Sequence, residues 1–438
     1  MDKRISKTLS ISIPSACIVL AAAIVSIVLS NIYFSPAEIF KRHTIINPPK
    51  TFNTGKTEIS DEYKTSLTNF CALCFESSLK VTKDNNCPNT LVSPFSLYTN
   101  LVSLYSITAG ETNSEIIQSL NIRDKEEGLK IVKETNLEIN NLLIDEFKEN
   151  DSYLSSNIIN TLFINNSLSG KIGKNSINAF SETYTDVFYS NNSKDIKTIV
   201  SESFTKQSNG FLKLKYGDQI KENNALIFYN AHYFESSWST KVFEIQKHMD
   251  FYNNGNKQIK KTFLSFNYCD ANYYSDVYED ANMLVFSIPL KNNLNLNIQM
   301  AKEKTDAKKV LNEINFLLNK RDYETSNNRI LVELPKFSHE SLTTKKLLDT
   351  MGMPSLFHNA EVILDNDSIQ NATCDFYNQT LLDFNSNGIA VSNRKANDYI
   401  CPDGSSTTKP LVITVNHPFN YSITFDDIPI FMGQIMEL

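Results

Sequence analysis

Segments that favour strands and segments that favour helices follow one another in irregular order along this chain. Runs rich in branched and aromatic residues predict strands at 158–164, 225–234, 283–290, 294–300, 329–334, 411–415 and 421–425. Apolar residues at helical spacing predict helices at 61–80, 125–147, 305–318 and 343–351. Because this order is not a repeating strand–helix–strand array, the sequence predicts an α+β fold with large, mostly antiparallel sheets.

The N-terminal segment differs in character from the rest of the chain. Three cations lie within residues 2–7, and residues 11–33 contain no charge, a stretch long enough to span a bilayer. The pattern predicts residues 1–33 as a signal peptide cleaved after Ser30 or as an uncleaved signal-anchor. Residues 34–60, with the Pro48-Pro49 pair, are predicted to form a linker, and residues 61–438 one domain.

Such a leader predicts a protein that is secreted, or membrane-anchored with its domain outside the cytoplasm. The membrane would then be contacted only through the N-terminal segment. The body of the chain contains Asn-x-Ser/Thr sequons, which are candidates for glycosylation in that compartment. They include Asn150, Asn165, Asn191, Asn366 and Asn371.

Charge and residue clustering exclude several functions. The net charge of −7 is spread without long basic runs, so the sequence does not predict a nucleic-acid partner. Cys71 and Cys74 have no matching second pair, so we expect no metal site. They are interpreted as buried core thiols, although outside the cytosol a bridge from Cys87 to one of them is an alternative. The histidines accompany no catalytic or cofactor-binding motif, so neither an enzyme nor a cofactor is predicted.

Four separated segments carry recognisable motifs. The first is SPFSL at 93–97 followed by TAGET at 108–112, and the second is NAHYFESSW at 230–238. The third is LPKF at 334–337 followed by MGM at 351–353 and Phe357, and the fourth is HPF at 417–419 with FMG at 431–433. In order and spacing, these segments together resemble the serpin family over nearly all of residues 60–438.

The resemblance implies a fold and a mobile sheet. It implies a large, mostly antiparallel central sheet, further sheets, about eight or nine helices and an exposed reactive loop. It also implies a polar cluster where the central sheet opens, with hydrogen bonds satisfied in both sheet arrangements. Asn378 stands where the family usually has a histidine, so a titratable group is lost from the cluster. The sheet-opening cluster comprises Ser93, Ser96, Asn230 and Asn378, with Trp238 at the top of the sheet.

The resemblance places the reactive loop between Gly388 and about Pro410. Its hinge comprises Gly388, Ile389, Ala390, Val391 and Ser392. Alternation puts Ile389, Val391, Asn393 and Lys395 on one face of an inserted strand. If that face is the inward one, the two apolar residues are acceptable, Asn393 is poor and Lys395 is costly to bury.

The scissile bond has several candidates, because the stretch from Gly388 to Pro418 looks about five residues longer than in typical members. The family's usual spacing from Gly388 ends near Cys401 and Pro402. Asp403 before Gly404 would suit a protease that cuts after aspartate, and Tyr399 would suit a chymotrypsin-like protease. Cys401 is also a candidate for an exposed, reactive thiol.

Two functions follow from the resemblance. The first is a monomeric inhibitor that acts as a suicide substrate of a serine protease or, alternatively, of a cysteine protease. The second is a non-inhibitory binding or storage module, which the polar and charged hinge residues Asn393, Arg394 and Lys395 favour.

Overall fold

The computed structural model describes residues 35–46, 60–135, 154–168, 180–266, 275–318, 326–363, 369–389 and 411–438. Short gaps within these ranges lie at 125, 182, 209, 216, 221–223, 240–241, 246, 255–256, 280–281, 292–293, 329 and 426. The N-terminal segment 1–33 and residues 390–410 therefore lie outside the described residues. No helix in the described part of the chain is long and apolar enough to cross a membrane.

The longer helices begin where the sequence supplies caps. The helices are α1 (Pro36–His43), α2 (Asp61–Asp84), α3 (Pro94–Tyr105), α4 (Gly110–Leu120), α5 (Ser193–Gln207), α6 (Ala307–Val310), α7 (Asn315–Leu318), α8 (Lys345–Thr350) and α9 (Ser355–His358), and residues 126–135 are also helical. Ser60 Oγ accepts a hydrogen bond from Tyr63 N at the start of α2. Ser93 caps α3 in the same way, and Pro94 occupies its first turn, where a missing N–H costs nothing.

The central sheet has the strand order β1-β4-β3-β5-β19-β18-β15. Its strands are β1 (Thr44–Ile46), β3 (Leu154–Ile164), β4 (Thr185–Tyr189), β5 (Leu226–Ser237), β15 (Phe337–Thr344), β18 (Cys374–Asn385) and β19 (Gly388–Ile389). Only β3 with β4 and β5 with β18 run parallel, whereas the other pairs are antiparallel. The predicted α+β class with a large, mostly antiparallel sheet is confirmed.

Two further sheets and two hairpins complete the described architecture. The second sheet has the order β13-β10-β11-β12-β21-β22-β2, the third β20-β14-β9-β6, and the hairpins are β7-β8 and β16-β17. Their strands are β2 (Thr90–Val92), β6 (Val242–Glu244), β7 (Met249–Tyr252), β8 (Gln258–Lys261), β9 (Phe263–Phe266), β10 (Ser275–Glu279), β11 (Met283–Pro289), β12 (Leu294–Ala301), β13 (Ser326–Asn328), β14 (Ile330–Pro335), β16 (Ala360–Ile363), β17 (Ile369–Ala372), β20 (Leu411–Thr414), β21 (Phe419–Phe425) and β22 (Ile428–Ile435).

The central sheet is packed on both faces. On one face, alternate residues of β5 such as Phe228 and Phe234 join α3 and β22 in the largest apolar cluster. On the other face, the intervening residues such as Tyr229 and Ala231 join α5 in a second cluster. We call the face toward α3 the inward face. A strand entering this sheet must therefore match a buried inward surface.

The segment predicted as a linker contains ordered structure. Residues 36–43 form α1, and residues 44–46 pair with β4 at the edge of the central sheet. The side chain of Ile39 is buried in the same apolar cluster as α5. Burial of this apolar residue gives the segment a packing partner that a linker lacks.

The described cysteines behave as core residues, with one exception. Cys71, Cys74 and Cys374 are buried and free, and Cys87 is exposed and free. Burial raises the pKa of the Cys71 thiol. The interpretation of Cys71 and Cys74 as core thiols is confirmed, and the alternative bridge to Cys87 is absent from the structure.

Gly433 allows β22 to pass directly under an aromatic ring. A Cβ at this position would overlap the ring of Tyr421, which is fully buried. We expect Gly433→Ala to lower the free energy of unfolding of the intact protein by about 2 kcal/mol, because overpacked cores must shift side chains or backbone. Urea unfolding monitored by circular dichroism measures this loss. A change below about 0.5 kcal/mol would show that the ring can move aside without cost.

Candidate functional site

The central sheet divides into a fork between β5 and β18. These strands are paired directly from Cys374 opposite Leu226 up to Thr380 opposite His232. Beyond that point the two residues of β19 lie between them, antiparallel to both neighbours. We call this place the fork. The chain that leaves β18 thus turns back and enters the sheet for two residues.

The fork keeps one register throughout. Gly388 lies between Ser237 of β5 and Asn385 of β18, and Ile389 lies between Ser236 and Phe384. On both sides of β19, the residues of β5 and β18 that face each other differ in number by the same amount as the directly paired residues from Leu226 and Cys374 to His232 and Thr380. The strands therefore separate sideways at the fork without sliding along each other.

Gly388 and Ile389 differ in their roles at the fork: the first adopts an unusual backbone conformation and the second buries its side chain. Gly388 has a φ of +155°, a backbone conformation that L side chains rarely adopt. Ile389 is fully buried and belongs to the inward apolar cluster. Ile389 therefore lies on the inward face of the sheet, which is the face that the sequence left conditional.

A polar cluster lies directly below the fork on the inward face. Ser93 Oγ is 2.7 Å from His232 Nδ1, and the same hydroxyl donates to the Ile430 carbonyl at 3.0 Å. Asn378 Nδ2 donates to Ser96 Oγ at 3.2 Å. All of these side chains are at least 97% buried, so the cluster forms a polar patch inside an apolar core.

Asn230 leaves the cluster incomplete. Its Oδ1 accepts a hydrogen bond from Thr161 N at 3.0 Å. Its Nδ2 is buried and has no partner among the described residues, contrary to the expectation that every polar group of the closed sheet is satisfied. A buried donor without an acceptor costs about 1–3 kcal/mol. The closed sheet therefore contains an unsatisfied hydrogen-bond donor at Asn230.

His232 restores a titratable group to the cluster. The sequence predicts that a titratable group is lost with Asn378 and gives His232 no role in the cluster. The imidazole instead comes from the neighbouring strand, stacks on Phe431 with ring centroids 4.4 Å apart and reaches the cap of α3. The available signal was its position two residues after Asn230, which places both side chains on the same face of β5.

Comparison with known proteins decides the family. The profile of the family "Serpin (serine protease inhibitor)" matches residues 67–438. The chain belongs to the serpin family. Antichymotrypsin-2 of Bombyx mori is 24% identical over 392 residues, which span 86% of this chain and 98% of that protein. Antitrypsin of Bombyx mori is 23% identical over 391 residues, which span 86% of this chain and 94% of that protein.

Solved serpin structures share the fold of this chain. Serpin48 of Tenebrio molitor superimposes with a TM-score of 0.69 at 19% identity, covering 87% of this chain and 100% of that structure. Native protease nexin-1 with heparin gives a TM-score of 0.68 at 16% identity, covering 86% of this chain and 99% of that structure. At these identities the likeness shows the fold.

Trp238 lies beside the fork in this serpin. Its Nε1 donates a hydrogen bond to the carbonyl of Asn385 at 2.8 Å, at the end of β18. Its ring meets Phe266 edge-on at 4.8 Å, and the side chain is 3% exposed. Trp238 thus connects the end of β18 to β9 of the third sheet.

The remaining predicted loop residues cannot be placed. The rest of the hinge, Ala390, Val391 and Ser392, and the scissile candidates Tyr399, Cys401, Pro402, Asp403 and Gly404 lie outside the described residues. Across the described ranges, no three metal-binding side chains gather into a group that could hold a metal ion.

Burial makes this serpin sensitive to acid. It lowers the pKa of His232 and of His339 from 6.5 to about 3. Above pH 6.5 both folded and unfolded states carry neutral imidazoles. Below it the unfolded chain binds protons that the folded chain excludes until about pH 3, so stability falls as the pH falls. At pH 5 we expect each histidine to contribute a loss of about 2 kcal/mol.

Urea unfolding at pH 7.5, 6 and 5 measures this loss. His232→Gln, which can keep a hydrogen bond to Ser93, should reduce the decrease between pH 7.5 and 5 by about 2 kcal/mol, the share of this one histidine. The same substitution at the exposed His358 serves as the matched control and should leave the decrease unchanged. An unchanged pH profile in His232→Gln would show that this imidazole is not buried in solution.

Proposed function

We propose that this serpin inhibits a protease as a suicide substrate, using the loop that follows Gly388. The observation that carries the proposal is the fork, where Ile389 is already fully buried between Ser236 and Phe384. A loop whose first residues occupy the sheet in register has a defined path for further insertion. The polar cluster lies next along this path. Its polar side chains can form hydrogen bonds before and after the strands separate, so β5 and β18 can part there at a lower cost.

The proposed chemistry is that of an interrupted proteolysis. The protease nucleophile attacks the scissile carbonyl carbon and forms an acyl-enzyme, the C–N bond breaks, and the new amine takes a proton. The loop, now free at one end, inserts between β5 and β18 and carries the attached protease with it. Inhibition results when insertion is faster than hydrolysis of the acyl bond.

The target class rests on the loop sequence. A serine protease is the first candidate and a cysteine protease the alternative, since both form acyl-enzymes. Cleavage after Tyr399 would indicate chymotrypsin-like specificity, and cleavage after Asp403 an aspartate-specific protease. Cys401 and Pro402 remain candidates from spacing. The proposed partner is thus a protease outside the cytoplasm. The N-terminal segment would direct the serpin monomer there, either as a secreted or as a membrane-anchored protein.

A panel of proteases tests this proposal. The protein from a secretory host is incubated with chymotrypsin-like, trypsin-like, elastase-like, aspartate-specific and cysteine proteases. We expect a covalent complex that survives SDS, together with a released C-terminal fragment whose mass identifies the scissile bond. Loop cleavage by every active protease without any covalent complex would reject inhibition.

The alternative function is a binding or storage module without inhibition. Its support is Lys395, which falls on the inward face once Ile389 is placed inward. Burial of an unpaired ammonium costs several kcal/mol and would slow insertion. In that case cleavage of the loop would neither trap a protease nor stabilise the protein.

A further inference from the structure

A cleft lies between the C-terminal part of α2 and the end of β22. Its volume is about 570 Å³, within the range of small-molecule binding sites. Its walls include Pro88 from the turn after α2, Asn254 from the turn between β7 and β8, and Leu311 just after α6. Phe431, the residue of β22 that meets the polar cluster, does not line it. The cleft is therefore separate from the fork.

Three lysines give this cleft a positive charge. Lys80 and Lys83 lie on the same side of α2, and Lys308 lines the cleft from α6. All three are exposed, and none of them has a carboxylate partner among the described residues. Among the lining residues Glu437 is the one acid, so three positive charges meet one negative charge. In a chain of net charge −7, this local excess favours an anion.

Apolar side chains supply much of the remaining surface of the cleft. Leu79 and Met436 are half-buried, and Leu311 is 1% exposed. Methionine adapts its shape to a bound molecule. A small inorganic anion would leave these side chains in contact with water, whereas an alkyl chain would cover them. The lining therefore suits a ligand that has both an acidic head and an apolar tail.

We propose that this cleft binds an amphipathic carboxylate of the medium-chain fatty acid class. The carboxylate accepts hydrogen bonds from the ammonium groups of Lys80, Lys83 and Lys308, and such charge-assisted bonds are stronger than neutral ones. The alkyl chain covers Leu79 and Leu311, so each buried methylene adds affinity. The ligand thereby joins α2, α6 and the end of β22.

The surroundings of the cleft favour a small molecule over a protein partner. In the described part of the chain, the strongly exposed large apolar residues are Phe243, Leu411 and Val412, and they lie on the third sheet. None of them lines the cleft. Because a stable protein interface buries about 800 Å² on each partner, it would need apolar surface beyond the cleft itself.

Charge reversal tests the lysines. The full chain is titrated with the fluorescent probe dansyl-undecanoate, with unlabelled decanoate as the competitor. We expect Lys83→Glu and Lys308→Glu each to weaken binding of both compounds by roughly tenfold or more, because each puts a negative charge beside the carboxylate. Lys309→Glu is the matched control, since this exposed neighbour does not line the cleft, and it should change affinity by less than about threefold.

Ligand analogues test the head and the tail separately. Affinity should rise about two- to fourfold with each methylene between hexanoate and decanoate, as burial of an alkyl chain requires. Decanol lacks the charge and should bind at least about tenfold more weakly than decanoate. Inorganic phosphate lacks the tail and should not displace the probe. Equal binding of decanol and decanoate, or displacement by phosphate as effective as by decanoate, would overturn the assignment of an amphipathic carboxylate.

Cys87 reports whether the ligand occupies this cleft. Its exposed, free thiol lines the cleft, so saturating decanoate should slow its alkylation by iodoacetamide roughly threefold, measured by peptide mass spectrometry. The protection should disappear in Lys83→Glu and persist in Lys309→Glu. Decanoate binding that leaves alkylation of Cys87 unchanged, or that is equally strong in Lys83→Glu and Lys308→Glu, would place the ligand elsewhere on the chain and overturn the proposal.

Discussion

Val391→Arg is expected to turn this serpin from an inhibitor into a substrate. If the loop inserts as proposed and the register of β19 continues, position 391 would lie between Phe234 and Leu382, both in the inward apolar cluster. An unpaired guanidinium in that place costs at least about 3 kcal/mol, which slows insertion on the order of 100-fold relative to hydrolysis of the acyl bond. The number of serpin molecules consumed per protease inhibited, read from gels and residual activity, measures the change.

The neighbouring position supplies a matched comparison for this prediction. In the same inserted strand, Ala390 would lie on the opposite face, between Glu235 and Asp383, whose side chains are half-buried carboxylates. Ala390→Arg introduces the same charge beside two acids, so its loss of inhibition should be much smaller. Equal losses in the two variants would contradict the assignment of faces that the burial of Ile389 supports.

Lys395→Gln is expected to act in the opposite direction and to improve inhibition. In the proposed inserted strand, position 395 would lie between Asn230 and Asn378, which are polar but neutral. Helix α3 beneath them contains no aspartate or glutamate, so it supplies hydrogen-bond acceptors but no counter-charge for an ammonium. Removal of the charge with retention of polar atoms should accelerate insertion roughly tenfold. Stopped-flow fluorescence of a probe on the loop measures the insertion rate.

Two further variants separate charge from size at this position. Lys395→Arg keeps the charge and should insert no faster than wild type. Lys395→Leu removes both charge and hydrogen bonding and should be slower than Lys395→Gln, because the amide groups of Asn230 and Asn378 would face an apolar chain. An insertion rate that does not change in Lys395→Gln would show that the long side chain reaches solvent from the inserted strand.

Part of the fold follows directly from local sequence. Ser93 followed by Pro94 has the chemistry of a helix start, and the structure begins α3 there. The irregular order of strands and helices predicted the α+β class for the same local reasons. The prolines and polar residues of segment 34–60, which contains Ile39, predict a linker. The segment instead forms a helix whose Ile39 side chain packs in the apolar cluster of α5, and α5 is distant in sequence.

The composition of the site depended on tertiary contacts that no local pattern reveals. Ser93 and His232 are separated by 139 residues, and only the folded structure shows that the imidazole lies within hydrogen-bond distance of the capping hydroxyl of α3. The burial of Ile389 likewise depends on the separation of β5 from β18. Alternation alone leaves two possible faces for Ile389, and its burial at the fork identifies the inward one.

The central claim is that the loop after Gly388 becomes an interior strand of the central sheet, and thermal melting tests it most directly. The intact protein and the protein cleaved within residues 399–404 are heated in parallel at pH 7.5, where the buried histidines are neutral in both states. A new central strand adds ladder hydrogen bonds and inward apolar contacts, so the account predicts that cleavage raises the melting temperature by about 10 °C or more. A cleaved form that melts at or below the temperature of the intact form would contradict it.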